Sequence, residues 1–383
     1  MTDTDNARPD SGRPDPDGDT EELAALRGAV RALLTRTSGP DAWPRLCGEI
    51  GVAGLGIPDA YGGAGAGLPE VCAVLEELGR TLTPCPMLGS SVLAAEAVLA
   101  AGDEGAMRRL LPGIAAGTAT AALVWAGAQG HWDPTAPACR WDGRLHGEAH
   151  YVLDGADVEV FVVAARTDHG VGLFEVDPAR TTRTAATPMD TSRPLATVLL
   201  DHCPGRPIRG GADRDDGADR DDGAGWGGGA DLSGALARAR DVGCVALAAE
   251  QVGSAAYCLE QTDAYTKQRV QFGRPIAHFQ ALQHRMADLY VLVETARSAV
   301  WAAAGAEKHE LPLLAAVAKT HCSEALSRVA AEMIQLHGGI AITWEHEAHR
   351  YFKRAHGSAQ LLGQPHEHIA RLESLVLNTS GPS

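Results

Sequence analysis

The feature that most constrains this chain is its hydrophobic period. After Asp231, apolar residues recur at steps of four and three, three times over. The first series is Val245, Ala249, Val252, Ala256 and Leu259. The second runs Phe279, Leu282, Met286, Leu289, Val293, Ala296 and Val300, and the third Leu314, Val317, His321, Ala325, Val329, Met333 and Leu336. Such spacing lays one apolar stripe on each of three long helices. With one more helix at the C-terminus it predicts an antiparallel four-helix bundle over residues 232–378. The first of these helices should end at Phe272-Gly273-Arg274-Pro275, because Gly and Pro follow helix ends.

Upstream the period changes. Between residues 117 and 208 lie short β-prone runs at 121–125, 158–163, 171–174 and 197–200. The turn pairs Asp142-Gly143, Asp154-Gly155 and Asp177-Pro178 separate them, which predicts a small antiparallel, barrel-like β domain. Residues 21–116 return to helical spacing, as in Leu75, Leu78 and Leu82, and form an N-terminal helical domain. The fold class is therefore mostly α with a β domain (α+β). Residues 1–20, rich in Pro, Asp and Gly, read as a disordered tail. Residues 209–231 repeat Gly-Ala-Asp-Arg-Asp-Asp in tandem and read as an acidic, flexible insert. The insert lacks the ligand spacing and terminal Glu of a calcium loop.

Composition excludes several function classes. A chain of 383 residues, 45% hydrophobic, buries a sizeable core without disulfides or structural metal. A formal charge of −16 argues against nucleic acid or an anionic membrane as partner. No uninterrupted apolar run approaches the roughly 20 residues of a membrane helix, and the acidic N-terminus is not a signal peptide. Eight scattered cysteines without a CxxC pair read as free thiols, which places the protein in the cytoplasm.

Two segments carry chemistry. The first is Tyr265 to Ile276 followed by His278 to Asp288; the second is Ile334 to Ile340 followed by Thr343 to His346. One places a permanent cation, Arg269, and an aromatic, Phe272, at a helix end, then opens a new helix bearing Gln280. The other ends a helix in Gly338-Gly339, with Gln335 one turn earlier. Arginine neutralises a pyrophosphate through paired hydrogen bonds, glycines let backbone approach a phosphate, and glutamine bonds an adenine edge or a ribose. The combination suggests a dinucleotide site; a plain helix stop and a surface ion pair explain the same residues separately.

These runs resemble the acyl-CoA dehydrogenase family. So do Leu55-Gly56-Ile57-Pro58-Asp59-Ala60-Tyr61-Gly62-Gly63, Glu76-Glu77-Leu78-Gly79-Arg80, and the domain order itself. The resemblance implies FAD at a subunit interface and oxidation of an acyl-CoA thioester to the 2,3-enoyl product, with an electron-transfer flavoprotein as acceptor. It places Arg269 near the FAD pyrophosphate, Gln271 and Phe272 beside it, and Gln280 at the adenosine end. Gln335, Gly338 and Gly339 come from the second motif. In the family these residues reach the flavin of the neighbouring subunit, so a homo- or hetero-tetramer is part of cofactor binding.

The catalytic base is where the chain departs from the family. The usual glutamate position falls on Leu362, before Gly363, and the alternative on the first bundle helix falls on Gly243. Neither takes a proton, although the Leu362 N–H still offers a donor to a thioester carbonyl. Glu250 lies seven residues beyond Gly243, two helical turns away on the same face. In its apolar run it is either a displaced base with a raised pKa or a carboxylate satisfied by arginine or backbone. The β domain departs too: residues 124–133 and Tyr151-Val152-Leu153-Asp154-Gly155 replace the segments that usually face the flavin. Glu250-Gln251-Val252-Gly253 and His337 to Ile340 resemble a branch common in high-GC actinobacteria. Part of that branch forms heterotetramers in which one subunit supplies the base and the other completes the FAD site. This chain resembles the second kind; a homo-oligomer using Glu250 and a non-catalytic scaffold are the alternatives. No metal site is expected. Glu345, His346, Glu347 and His349 lack a full ligand set, and His366 and His368 read as surface residues.

Overall fold

The computed structural model describes residues 16–211 and 230–379. Most of the expected tail, and residues 212–229 of the expected insert, lie outside the described residues. The N-terminal part contains helices α1 (Pro16–Arg36), α2 (Leu68–Thr81), α3 (Ala95–Ala101) and α4 (Glu104–Ala115). Helix α1 thus starts inside the stretch read as tail. Leu75, Leu78 and Leu82 are all buried.

The β domain holds β1 (Ala121–Val124), β2 (Cys139–Trp141), β3 (Leu145–Leu153), β4 (Val160–Thr167), β5 (Gly170–Val176), β6 (Thr182–Ala185), β7 (Leu195–Cys203) and β8 (Arg206–Ile208). The strands join in the order β6-β7-β3-β2-β4-β5-β8, with β1 on β4. The expected barrel is therefore corrected to an open sheet with edges at β6 and β8. The sheet is also mixed, because β4 pairs in parallel with both β1 and β2. Neither feature follows from alternation of side chains, which carries no strand direction.

The C-terminal part contains α5 (Ser233–Gln268), α6 (Gln280–Ala304), α7 (Leu311–His337), α8 (Ala348–Gln360) and α9 (Pro365–Thr379). Asp231 starts α5: its Oδ1 accepts from the Ser233 N–H at 3.0 Å and from Val171 N–H at 2.9 Å, tying the helix to β5. Helix α5 ends at Gln268, before the expected stop, because Val270–Gln271 and Arg274–Pro275 pair as a short hairpin. By length and composition α5 is apolar enough to cross a membrane, yet 89% of its apolar window is buried inside the protein. It is the central helix, wrapped by α2 on one side and by α6 and α7 on the other, so its apolar residues extend around its circumference.

The crossing of α2 and α5 is set by two glycines. A Cβ on Gly79 would fall on the Glu250 carbonyl, and one on Gly253 on the Glu76 carbonyl. Ser254 Oγ donates to the Gly79 carbonyl at 2.8 Å and locks the contact. Gly253→Ala is expected to lower the stability of the chain by at least about 2 kcal/mol, since neither backbone can yield. Gly234→Ala, in the same helix with open space around it, is expected to be neutral or stabilising by up to about 1 kcal/mol. Urea unfolding of both variants checks the pair.

Candidate functional site

The two motifs meet at one end of the bundle. Tyr265 Oη donates to the His337 carbonyl at 3.2 Å, and the two rings stack 4.3 Å apart. This joins the end of α5 to the end of α7. Arg269, Gln271, Gln280, Gln335, Gly338 and Gly339 are all exposed there. Phe272 is 93% exposed at φ 54°, while the Arg274 guanidinium lies 4.2 Å over the neighbouring Phe279 ring. Gly338 turns the chain out of α7 at φ 67°, a conformation that favours glycine. No heavy atom lies within 4 Å of where a Cβ would stand on Gly338 or Gly339. A permanent cation, three amides and open backbone form a surface suited to a phosphate and a polar ring edge.

A cleft of about 270 Å³ opens elsewhere, between the β domain and the end of α8. Trp132, Tyr151, Met189 and Leu361 give it apolar walls, and Gln129 and Gln360 give it amides. Both β segments expected to face the flavin therefore border it. Tyr151, at φ 58°, is held by its hydroxyl, which donates to the Ala128 carbonyl at 3.0 Å. Such walls suit a flat, polar-edged ring. None of the seven residues of the two motifs lines this cleft.

Glu250 stands apart from both. It precedes Arg269 by 19 residues of helix, roughly 28 Å of rise. It is buried, and Arg193 and Arg354 both donate to its Oε1. Arg354 also donates to Asp190 Oδ2 at 2.6 Å, to Ser192 Oγ at 2.8 Å and to the Ser192 carbonyl at 3.1 Å. The cluster joins α5, α8 and the loop before β7. Burial opposes the charge on Asp190, but Arg354 and Ser192 outweigh it and hold its carboxyl below the usual range. Burial draws both guanidiniums down; two anions facing two cations keep the group near neutrality. The cluster borders a void of only about 20 Å³ lined by Leu75, Leu78, Leu88 and Leu153. Asp154 joins it without a close cation, and burial pushes its carboxyl up to about 7 against the pull of Arg193. Arg193, Arg354, Asp190 and Asp154 carry no spacing signal in the sequence.

The two positions expected for a base meet. A Cβ on Gly243 would lie 3.0 Å from Leu362 Cδ1 and closer still to Leu93 Cδ2. The space is filled with aliphatic carbon. Asp241, the other nearby carboxylate, is paired with Arg240 and Arg371. Leu362 sits at φ 60° and is fully buried. Its carbonyl accepts from His368 Nε2 at 3.0 Å, so His368 is an interior residue and not the surface residue expected. Burial beside Lys319 lowers the His368 imidazole to about 4, which keeps it neutral. Lys319 itself is fully buried and drawn down to about 8. Its Nζ donates to the carbonyls of Ser358 at 3.2 Å and Ala359 at 3.1 Å, closing the end of α8. In the 345–349 segment, Glu347 accepts from Tyr257 and His346 Nδ1 accepts from the Ala348 N–H at 3.1 Å. These contacts order the start of α8.

Comparison with known proteins matches residues 20–118 to the acyl-CoA dehydrogenase N-terminal domain and residues 235–365 to the acyl-CoA dehydrogenase C-terminal domain. The chain is 40% identical to acyl-CoA dehydrogenase IpdE2 of Mycobacterium tuberculosis, over 93% of this chain and 98% of that one. Among solved structures it is similar to a variant of the Tcur3481-Tcur3483 steroid ACAD, with a TM-score of 0.81 and 30% identity over 95% of this chain and 99% of the other. It is also similar to the ChsE4-ChsE5 complex of Mycobacterium tuberculosis, with a TM-score of 0.79 and 25% identity over 95% and 98% of the two chains.

Asp154 sets a pH dependence. Well below pH 4 the folded and unfolded chains both hold its proton. Between about 4 and about 7 only the folded chain does, so stability falls as pH rises through that window. Asp154→Asn is expected to be more stable than wild type at pH 8, by on the order of 4 kcal/mol, with the difference vanishing below about pH 4. Urea unfolding at the two pH values measures it.

Proposed function

The chain belongs to the acyl-CoA dehydrogenase family, and from that premise we propose that it works as one subunit of a hetero-oligomer whose partner supplies the catalytic base. FAD is the family's cofactor; when bound, it accepts the hydride that leaves the β-carbon of an acyl-CoA thioester. The observation that carries the proposal is the contact of Gly243 with Leu362 and Leu93. At both places where a base is expected this chain offers aliphatic carbon. The candidate read from the sequence, Glu250, is bound on one oxygen by two guanidiniums. A carboxylate so engaged is an interior counter-ion and not a proton acceptor.

The remaining residues fit the cofactor. In this reading Arg269 would neutralise its pyrophosphate, Gln271 and Phe272 would flank it, Gln280 would meet the adenosine end, and Gln335, Gly338 and Gly339 would complete the surface. The cleft beside Tyr151 and Trp132 takes a flat ring. Because these two halves share no residue, we assign each motif to the cleft of a neighbouring chain. Large apolar side chains exposed on and near α6 and α7, among them Tyr290, Val291, Ile342 and Trp344, support a covered face there. Two of the similar structures are of paired proteins, Tcur3481-Tcur3483 and ChsE4-ChsE5; we carry the pairing over to this chain. The substrate is an acyl thioester, with a steroid-derived acyl group first in the test panel, and an electron-transfer flavoprotein is the acceptor. All eight cysteines are free, which fits a reducing compartment.

Glu250→Gln in the reconstituted enzyme tests the reading. The expected kcat stays within about threefold of wild type with an unchanged pH profile, while Tm falls because a buried ion pair loses its anion. A loss of about 10³-fold or more at unchanged flavin content would make Glu250 the base, as in a homo-oligomer. Arg269→Ala is expected to lower the flavin-to-protein ratio more than about tenfold without lowering the folded fraction; absorbance of the purified complex measures it.

A further inference from the structure

One group of side chains on the β domain lies outside everything described so far. Strands β3 and β7 pair Leu145 with Cys203 and Gly147 with Leu200. His146 therefore faces two residues, Asp201 and His202, which makes a β-bulge. His202 sits at φ 50°, uncommon for a residue with a side chain. A regular strand would send Asp201 and His202 to opposite faces; the bulge brings both to His146. The His146 and His202 rings lie 4.2 Å apart, nearly perpendicular. His202 Nδ1 is 2.8 Å from Asp201 Oδ1, and His146 Nε2 is 3.0 Å from Asp142 Oδ1. One donor atom each from His146, Asp201 and His202 lies within 4.8 Å of the others.

We infer that this bulge binds a divalent transition-metal ion of the zinc class, with His146, His202 and Asp201 as ligands. Two imidazoles and a carboxylate are the donors such ions take; calcium and magnesium take oxygen alone. Ligands about 2.0–2.1 Å from an ion lie roughly 2.9–3.4 Å from each other. Within the trio, His202 Nδ1 stands 2.8 Å from Asp201 Oδ1 and all three donor atoms lie within 4.8 Å of one another, so rotations of the exposed Asp201 and His202 side chains bring them to ligand spacing. Arg140 is paired with Asp142 and competes for it, which leaves three protein ligands and open positions for water. The His146 side chain is 14% exposed, whereas those of His202 and Asp201 are 76% and 82% exposed. The ion enters from solvent onto one half-buried ligand. His146 is the second residue of β3, and Tyr151 at the cleft is five residues further on, roughly 17 Å away. The ion thus clasps β3 to β7 and takes no part in the dehydrogenation. Residues 146 and 201–202 are far apart in sequence, so no spacing motif announces the site.

The test uses tag-free, full-length protein treated with EDTA and dialysed. Isothermal titration with ZnCl2 is expected to show one equivalent per chain, absent with MgCl2, and Tm is expected to rise by about 2–4 °C at saturation. The double variant His146→Asn/His202→Asn keeps side chains that tolerate the left-handed backbone. It should match wild type in metal-free Tm and flavin content and lose the zinc equivalent and the Tm rise. An equal zinc equivalent in the double variant, or no rise of Tm in wild type, would overturn the inference. Dehydrogenase activity does not enter the readout, so the result is independent of the proposed function.

Discussion

Four buried charges hold the parts of this molecule together. Arg354 reaches from α8 to Asp190 and Glu250, and Arg193 reaches from the loop before β7 to the same Glu250. Each charge alone would carry a desolvation penalty of several kcal/mol. Together they are tolerable, and only in one mutual arrangement of the β domain and the helical bundle. The cluster therefore fixes the angle at which the β domain meets α5 and α8. The wall of the cleft follows from that angle, because Asp190 and Arg193 border it. So does the near closure of the void beneath.

Around this cluster the interior is divided by chemistry. On one side, Gly243, Leu93 and Leu362 meet in hydrocarbon. On the other, Lys319 and His368 pin the end of α8 and the Leu362 carbonyl. The loop that carries the expected base position is thus held by buried hydrogen bonds, although no base stands in it. A rigid loop without a base fits a subunit that must keep the shape of the family's cleft while another chain does the proton transfer.

Much of this was legible in the sequence. The 3.6-residue period located the long helices, since Val245, Ala249, Val252, Val293, Val300, Val329 and Met333 are buried where the stripes placed them. The Arg269 and Gln335 segments were legible as helix ends, and Tyr265 against His337 explains why they adjoin. The β domain was less legible: β2, β3, β6 and β8 mix polar and apolar residues, the β3–β7 register shifts twice, and parallel pairing leaves no local mark. The ion cluster was least legible. Arg354 and Asp190 are 164 residues apart, and an isolated arginine in a helix reads as a surface residue. Lys319 and His368 were hidden for the same reason. Lys319 Nζ and His368 Nε2 bond to carbonyls at and just past the end of α8, which no residue pattern announces.

The most direct test of the account is anaerobic addition of acyl thioesters to the flavin-loaded chain alone, and to the same chain mixed with the co-expressed dehydrogenase subunit proposed as its partner. The account predicts that the flavin of the lone chain stays oxidised under the thioester that bleaches the mixture, since the lone chain has nothing to take the α-proton. Bleaching of the lone chain at a rate comparable to the mixture would contradict it and return the base to this chain.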